Sequence, residues 1–286
     1  MHFSSPMNIA LLGAGGKMGG RITANLRKLD GYSISYVEVS DSGRKRLQEN
    51  GISTVDTTSA VSQADAVILA IPDNKIGEVT NEIAPVLRPG SIVVGLDPAA
   101  AYAGVLAPRE DITYFIAHPC HPPLFSDIAA ASPATDWFGG NGILPQSVVC
   151  ALFQGPEKHY SIGEKLAGAM FAPILRLHRV TVEQMAILEP AVVESTMLTC
   201  ITVLREAMER AVELGVPEEA AKDFCLGHIR TLLAIVFGFA GFPVSDGAKR
   251  AATANHPRIF RENWKDVISI PAVKESVQDI CAAEVA

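Results

Sequence analysis

Short, fully apolar runs alternate with stretches of helical period along the first half of the chain. Residues 8–12 (Asn-Ile-Ala-Leu-Leu) read as a buried strand, followed by a glycine turn and a helix over 17–29. Residues 33–39 are β-branched and aromatic, and 67–71, 91–96 and 114–117 repeat the strand pattern, with helices expected over 43–50 and 76–86. Apolar runs without alternation mark strands covered on both faces, and the helices between them supply that cover. The rhythm predicts an α/β fold, a Rossmann-type doubly wound parallel sheet. Residues 119–146 interrupt it with five prolines and the stretch Trp137-Phe-Gly-Gly-Asn-Gly142, in the manner of a binding loop. A strand at 147–154, a helix at 158–170 and a strand at 174–180 then rejoin the same sheet.

From Thr181 the period is helical throughout. Thr181 with Glu183 and Gln184 reads as a helix start, and the helix runs to about residue 214 with Pro190 inside it. A proline there is expected to kink the helix and free a carbonyl. A second helix over 218–237 and shorter helices in the tail follow. The expected division is a dinucleotide-binding domain, 1–180, and an all-α C-terminal domain, 181–286. The helices at 181–214 and 218–237 are too apolar for one small domain, which predicts a homodimer.

Composition narrows the class. With 48% hydrophobic and 19% charged residues the chain of 286 supports a sizeable core. A net charge of −7 argues against non-specific nucleic-acid binding. Five scattered cysteines without a CxxC pair suggest a reduced, cytoplasmic protein, and the opening residues show no signal-peptide pattern. The longest apolar run, 232–244, spans 13 residues and contains Gly238, Gly241 and Pro243, short of the roughly 20 that a membrane span needs.

The strongest motif is Gly13-Ala14-Gly15-Gly16-Lys17-Met18-Gly19-Gly20, between a strand and a helix. Gly13 permits a tight turn, Gly15 and Gly16 admit a pyrophosphate, and Gly19 or Gly20 permits close helix–strand packing. The helix N-terminus offers N–H groups and a positive dipole end to phosphates. Glu38 ends the second strand 19 residues after Gly19, suited to both ribose hydroxyls of NAD and hostile to a 2′-phosphate. Arg44 and Lys45 stand nearby, but Val39 rather than arginine follows Glu38, which favours NAD. Ile71, Pro72 and Asp73 after the third strand, and Asp97 after the fourth, are expected to line the crevice at the carboxyl ends of the strands. Asp97 either reaches the nicotinamide end or caps the alanine-rich turn after it.

Ala117-His118-Pro-Cys-His121-Pro-Pro123 is the densest reactive cluster, at the carboxyl end of a strand on the glycine-loop side. His118, first after the strand, should face the crevice, as base or metal ligand. Glu189 precedes Pro190 in apolar company and needs a partner such as a metal or a protonated histidine. Glu194 is the second choice. Lys249, after Ser245-Asp-Gly-Ala248, is a candidate for a substrate carboxylate or for acid–base work.

Taken together, the glycine loop, Leu69-Ala-Ile-Pro72, His118-Pro-Cys-His121-Pro-Pro-Leu-Phe125 and Ile187-Leu-Glu189-Pro-Ala-Val-Val-Glu194 resemble the D-apionate oxidoisomerase family, related to 6-phosphogluconate and 3-hydroxyacid dehydrogenases. The resemblance covers nearly the whole chain. It implies NAD-dependent oxidation of a branched sugar acid coupled to skeletal rearrangement, with a divalent metal, zinc, on His118 and either Glu189 or Glu194. His121 is the expected proton acceptor. Two alternatives stand beside this. One is a metal-free hydroxyacid dehydrogenase or imine reductase using Lys249 and His118. The other is a non-catalytic NAD-sensing module. The expected partner is a small sugar acid or hydroxy acid, with neither nucleic acid nor membrane.

Overall fold

The structure, a computed structural model, describes residues 6–125, 136–139 and 144–282. Pro133 and residues 140–142, part of the expected binding loop, lie outside the described residues. Seven strands form one sheet: β1 (Met7–Leu12), β2 (Tyr32–Val37), β3 (Ala66–Leu69), β4 (Ile92–Gly95), β5 (Thr113–Pro119), β6 (Gln146–Gln154) and β7 (Ile174–Arg179). Their order is β2-β1-β3-β4-β5-β6-β7. The strands from β2 to β5 are parallel, as the apolar runs predict. The expectation of a wholly parallel sheet is corrected at β6, which runs antiparallel to β5, with β7 parallel to β6. A parallel neighbour needs a crossover across a sheet face. The link from β5 to β6 is instead the proline- and glycine-rich segment, which carries no helical period.

Helices cover both faces. On one, α1 (Lys17–Leu26) and α6 (Lys158–Met170) bury Ile22, Leu26, Leu166 and Met170 against Ile9, Leu11 and Phe115. On the other, α3 (Thr57–Gln63) and α4 (Asp73–Ile83) bury Val61, Ile76 and Ile83 against Leu12, Val67 and Val93. Between β2 and α3 lies α2 (Asp41–Glu49), and α5 (Ala99–Tyr102) follows β4. The polar run Thr57-Thr-Ser hides α3 from a search for apolar period. Its start is fixed locally, because Asp56 Oδ2 accepts from the Ser59 N–H at 2.9 Å.

A capping box on Thr181 and Gln184 starts α7 (Val182–Ala186), whose Val182 and Met185 are buried in the sheet's third apolar cluster. Pro190 is accommodated by a widened π-helical stretch, Ile187–Leu198. There the Ser195 and Thr196 hydroxyls donate to carbonyls five residues back, on Pro190 at 2.7 Å and Ala191 at 2.8 Å. Such wide turns take up a proline that an α-helix cannot.

The chain divides into two compact units, 1–189 with 274–286, and 190–273. The contacts thus group α7 and the end of α11 (Ile270–Ala282) with the sheet, a division that differs from a cut at residue 180. The second unit comprises the rest of the π-helical stretch, α8 (Thr199–Glu213), α9 (Glu218–Val236) and α10 (Asp246–Ile259). Its helices are poor in buried residues. Leu198, Ile201, Phe224, Leu226, Val236 and Phe237 are all more than half exposed. By length and composition alone, the run Val182–Glu213 is long and apolar enough to cross a membrane.

Candidate active site

β1 lies between β2 and β3, so the crevice opens where successive connections leave in opposite directions. The glycine loop turns out of β1 here. Gly13 adopts φ +76°, and a Cβ on it would stand 2.2 Å from the Ala70 carbonyl oxygen. A Cβ on Gly19 would stand 2.2 Å from the Gly13 oxygen, whereas one on Gly20 would meet nothing, so Gly19 alone permits the close helix packing. Ile71 lies across the same turn, its Cγ2 3.1 Å from where a Gly13 Cβ would be. Helix α1 begins with no side-chain cap and no acidic residue in its first turn, which leaves Lys17 and Met18 at a positive terminus open to phosphate. Beside it a hollow of about 570 Å³ touches Ala14, Gly15 and Gly16 and is rimmed by Lys17, Arg27 and Arg46.

Gly15 has a second role that the spacing does not reveal. A Cβ there would strike the Gly43 backbone at 2.5 Å, and a Cβ on Gly43 would strike the Glu38 carboxyl carbon at 2.4 Å. Loop, strand end and α2 are therefore stacked with no room for side chains, and Gly43 belongs to the site although no motif marks it.

Glu38 is buried at the centre of this stack, 9% exposed. One carboxylate oxygen accepts from the Gly15 N–H at 2.9 Å, and the other from the Ser40 N–H and hydroxyl, both at 2.9 Å. Burial alone would raise its pKa, but these hydrogen bonds outweigh that and hold it below the ordinary carboxylate range. These bonds engage both oxygens of the carboxylate expected to meet the ribose. Arg44 donates through Nε to the Glu38 carbonyl oxygen at 2.9 Å.

Farther along the crevice, β5 extends past its expected end and includes His118, paired with Val149 of β6. His118 Nδ1 lies 2.8 Å from the Leu96 carbonyl oxygen. A carbonyl only accepts, so Nδ1 carries hydrogen. His118 Nε2 lies 3.3 Å from Glu189 Oε2. Asp97 caps α5, accepting from the Ala99 N–H at 2.8 Å, while its other oxygen stands 3.7 Å from His118 Nδ1. The bond from Ala99 is the capping role expected of Asp97 at the alanine-rich turn. Burial, with Asp73 close by, pushes the Asp97 carboxyl up to about 7, His118 opposing. Burial likewise raises Asp73, the first residue of α4 after Pro72 at its cap, with His118 opposing and Glu189 adding to the rise. Three carboxylates therefore crowd one imidazole.

His121 sits beyond, its ring centroid 6.3 Å from that of His118 and its Nδ1 3.1 Å from the Phe138 carbonyl oxygen. Glu194 and Lys249 belong to the second unit, Glu194 on the π-helical stretch and Lys249 in the first turn of α10. Of the two glutamates weighed for His118, Glu189 faces it at 3.3 Å.

A dinucleotide crevice with a histidine–carboxylate cluster at its far end is the site of a dehydrogenase, and comparisons refine that class. Residues 8–97 match the family described as NADP oxidoreductase coenzyme F420-dependent, and 127–281 match Phosphogluconate dehydrogenase (decarboxylating) C-term. D-apionate oxidoisomerase from Cupriavidus necator is 47% identical over 273 residues, 95% of this chain and 98% of that one. The enzyme of that name from Rhizobium rhizogenes is 45% identical over the same shares. A crystal structure of a semialdehyde dehydrogenase NAD-binding protein from Cupriavidus necator, in complex with calcium and NAD, superposes with a TM-score of 0.91 at 47% identity. It covers 95% of this chain and 98% of that one. The chain belongs to the D-apionate oxidoisomerase family of oxidoreductases, within the 6-phosphogluconate dehydrogenase-like group. The non-catalytic alternative is thereby overturned.

Proposed function

We propose that this protein oxidises a branched sugar acid, D-apionate or a close analogue, with NAD⁺, and couples the oxidation to a carbon shift aided by a divalent metal. The observation that carries the metal is the facing of His118 Nε2 and Glu189 Oε2 at 3.3 Å. With Nδ1 committed to the Leu96 carbonyl, a neutral imidazole would turn a lone pair toward a carboxylate. The pair is relieved only by a proton or another cation between them, and Asp73 and Asp97 add to that demand. The donors fit a divalent metal: imidazole nitrogen suits zinc, and carboxylate oxygen suits zinc or harder ions. Among the described residues no three such side chains converge as a ready-made cage. A two-donor site leaves positions for substrate oxygens, and a metal bound there supplies Lewis acidity that makes the hydroxyl easier to deprotonate.

The chain's own groups do the rest. Helix α1 and Glu38 hold the cofactor by pyrophosphate and ribose, and Glu38 disfavours a 2′-phosphate. His121 Nε2 takes the hydroxyl proton as the carbinol hydrogen leaves with its electron pair to NAD⁺, giving a carbonyl and NADH. A neighbouring tertiary hydroxyl then loses its proton and becomes a second carbonyl as one carbon migrates with its bond pair to the first carbonyl carbon, whose C=O π pair moves onto oxygen and takes up that proton as a new hydroxyl.

Two proposals concern surroundings. The exposed apolar helices of the second unit are covered by a second copy of the chain rather than by lipid, since the Val182–Glu213 run starts with residues buried in the sheet's own core. A monomer by light scattering would contradict this. The compartment is a reducing cytoplasm, consistent with five free cysteines.

The test is a panel of sugar acids and hydroxy acids assayed by NADH absorbance, with and without chelator. D-apionate should lead the panel and lose turnover on chelation. Full turnover in metal-free protein would favour the metal-free dehydrogenase.

A further inference from the structure

His121 has φ +59°, a left-handed conformation that a residue with a Cβ keeps only when its surroundings hold it. What holds it is the turn at residues 136–139. The Phe138 carbonyl accepts from His121 Nδ1 at 3.1 Å, and the Phe138 ring meets the imidazole edge-on, centroids 5.4 Å apart at 84°. The same ring also meets two cations of α1. Lys17 Nζ lies 5.3 Å and Arg21 Cζ 5.0 Å from its centroid. Arg21 also donates through Nε to the Gly139 carbonyl oxygen at 2.9 Å. Trp137, the larger neighbour, is 74% exposed and takes no part in this grip.

We infer that Phe138, fastened to α1 by Arg21 and Lys17, is the positioning residue that fixes His121 with hydrogen on Nδ1 and the Nε2 lone pair free. The inference rests on the reading of His121 as proton acceptor. A neutral histidine in water favours hydrogen on Nε2, the tautomer that cannot accept there, so the carbonyl bond selects the minor and useful form. Because α1 is also the helix whose N-terminus faces the pyrophosphate, the base is referenced to the cofactor through one aromatic ring.

The experiment combines nitrogen spectra of ¹⁵N-histidine-labelled protein, single-turnover hydride transfer and NAD titration, on Phe138→Leu, Phe138→Tyr, His121→Ala and the double variant Phe138→Leu with His121→Ala. His121 should show hydrogen on Nδ1 in the parent and in Phe138→Tyr, and a mixture in Phe138→Leu. Hydride transfer in Phe138→Leu should fall about tenfold, a part of the 10²–10⁴ that general acid–base catalysis contributes in full, while NAD affinity holds. In the His121→Ala background the same change should cost nothing further. An unchanged tautomer in a folded Phe138→Leu protein, or an equal loss in the His121→Ala background, would overturn the inference. Undiminished turnover in His121→Ala with the tautomer still shifting in Phe138→Leu would uphold the positioning and sink the proton-acceptor reading instead.

Discussion

The two ends of the crevice are built on opposite electrostatic terms. At the cofactor end a single carboxylate, Glu38, is buried with both oxygens held by hydrogen bonds within the protein, which keep its pKa down. At the chemical end Asp73, Asp97 and Glu189 gather around His118, and burial drives the two aspartates up. The first end has its carboxylate already fixed within the protein and an uncapped helix terminus beside it. The second sets three carboxyl groups close to one imidazole, two of them driven by burial toward their protonated forms, which is where the proposed cation would bind. Rigidity and binding belong to one end, reactivity to the other.

The sharpest way to break this contrast is to remove the reactive pair. His118→Ala and Glu189→Gln should each lower kcat by roughly 10²–10⁴, the range of a lost catalytic group, with NAD affinity retained. The double variant should be little worse than either single one, because both disable one device. Additive losses would show two independent roles.

Gly43→Ala probes the other end. The new methyl would press on the Glu38 carboxyl, so it should weaken NAD binding about tenfold and destabilise the fold by about 1–3 kcal/mol, as overpacking does. Calorimetry with NAD and thermal melts check this, and unchanged affinity would show that the stack of loop, strand and helix is not needed. Smaller still, Glu38→Gln should narrow the preference for NAD over NADP by about threefold to tenfold, since it keeps the shape and removes the charge that opposes a 2′-phosphate.

A last effect is on stability and leaves binding and turnover aside. The folded Asp97 carboxyl, up at about 7, binds its proton more tightly than in the unfolded chain. Its contribution to stability is therefore full at low pH and is lost as pH rises toward 7. Asp97→Asn keeps an oxygen to cap α5 and cannot ionise. Its melting temperature relative to the parent should accordingly rise by several degrees between pH 5 and pH 8, about 2–3 kcal/mol at most. A difference that does not move with pH would place Asp97 in solvent.

The cofactor end was legible because its signals are local. A glycine loop follows an apolar strand, and an acid ends the next one. Gly43 escaped notice, since its need for no side chain arises only when α2 folds back onto Gly15. The chemical end was legible in its residue types but not in its partners. His118 and Glu189 are 71 positions apart, and no periodicity pairs them. Phe138 lies in a proline- and glycine-rich segment without period, where nothing in the sequence pairs it with His121 or α1. The antiparallel β6 was missed because apolar strands look alike in either direction, and α3 because its cap and polar first turn carry no apolar stripe.

The central claim is that the chemical end is completed by a divalent cation held on His118 and Glu189. The most direct test strips the protein of metal, confirms by calorimetry that NAD still binds, and follows NADH formation from D-apionate as zinc, manganese or magnesium is returned. The account predicts no turnover in the stripped protein, recovery with at least one of these ions, and no recovery or metal binding in Glu189→Gln. Full turnover in stripped protein, or undiminished metal binding by Glu189→Gln, would contradict it.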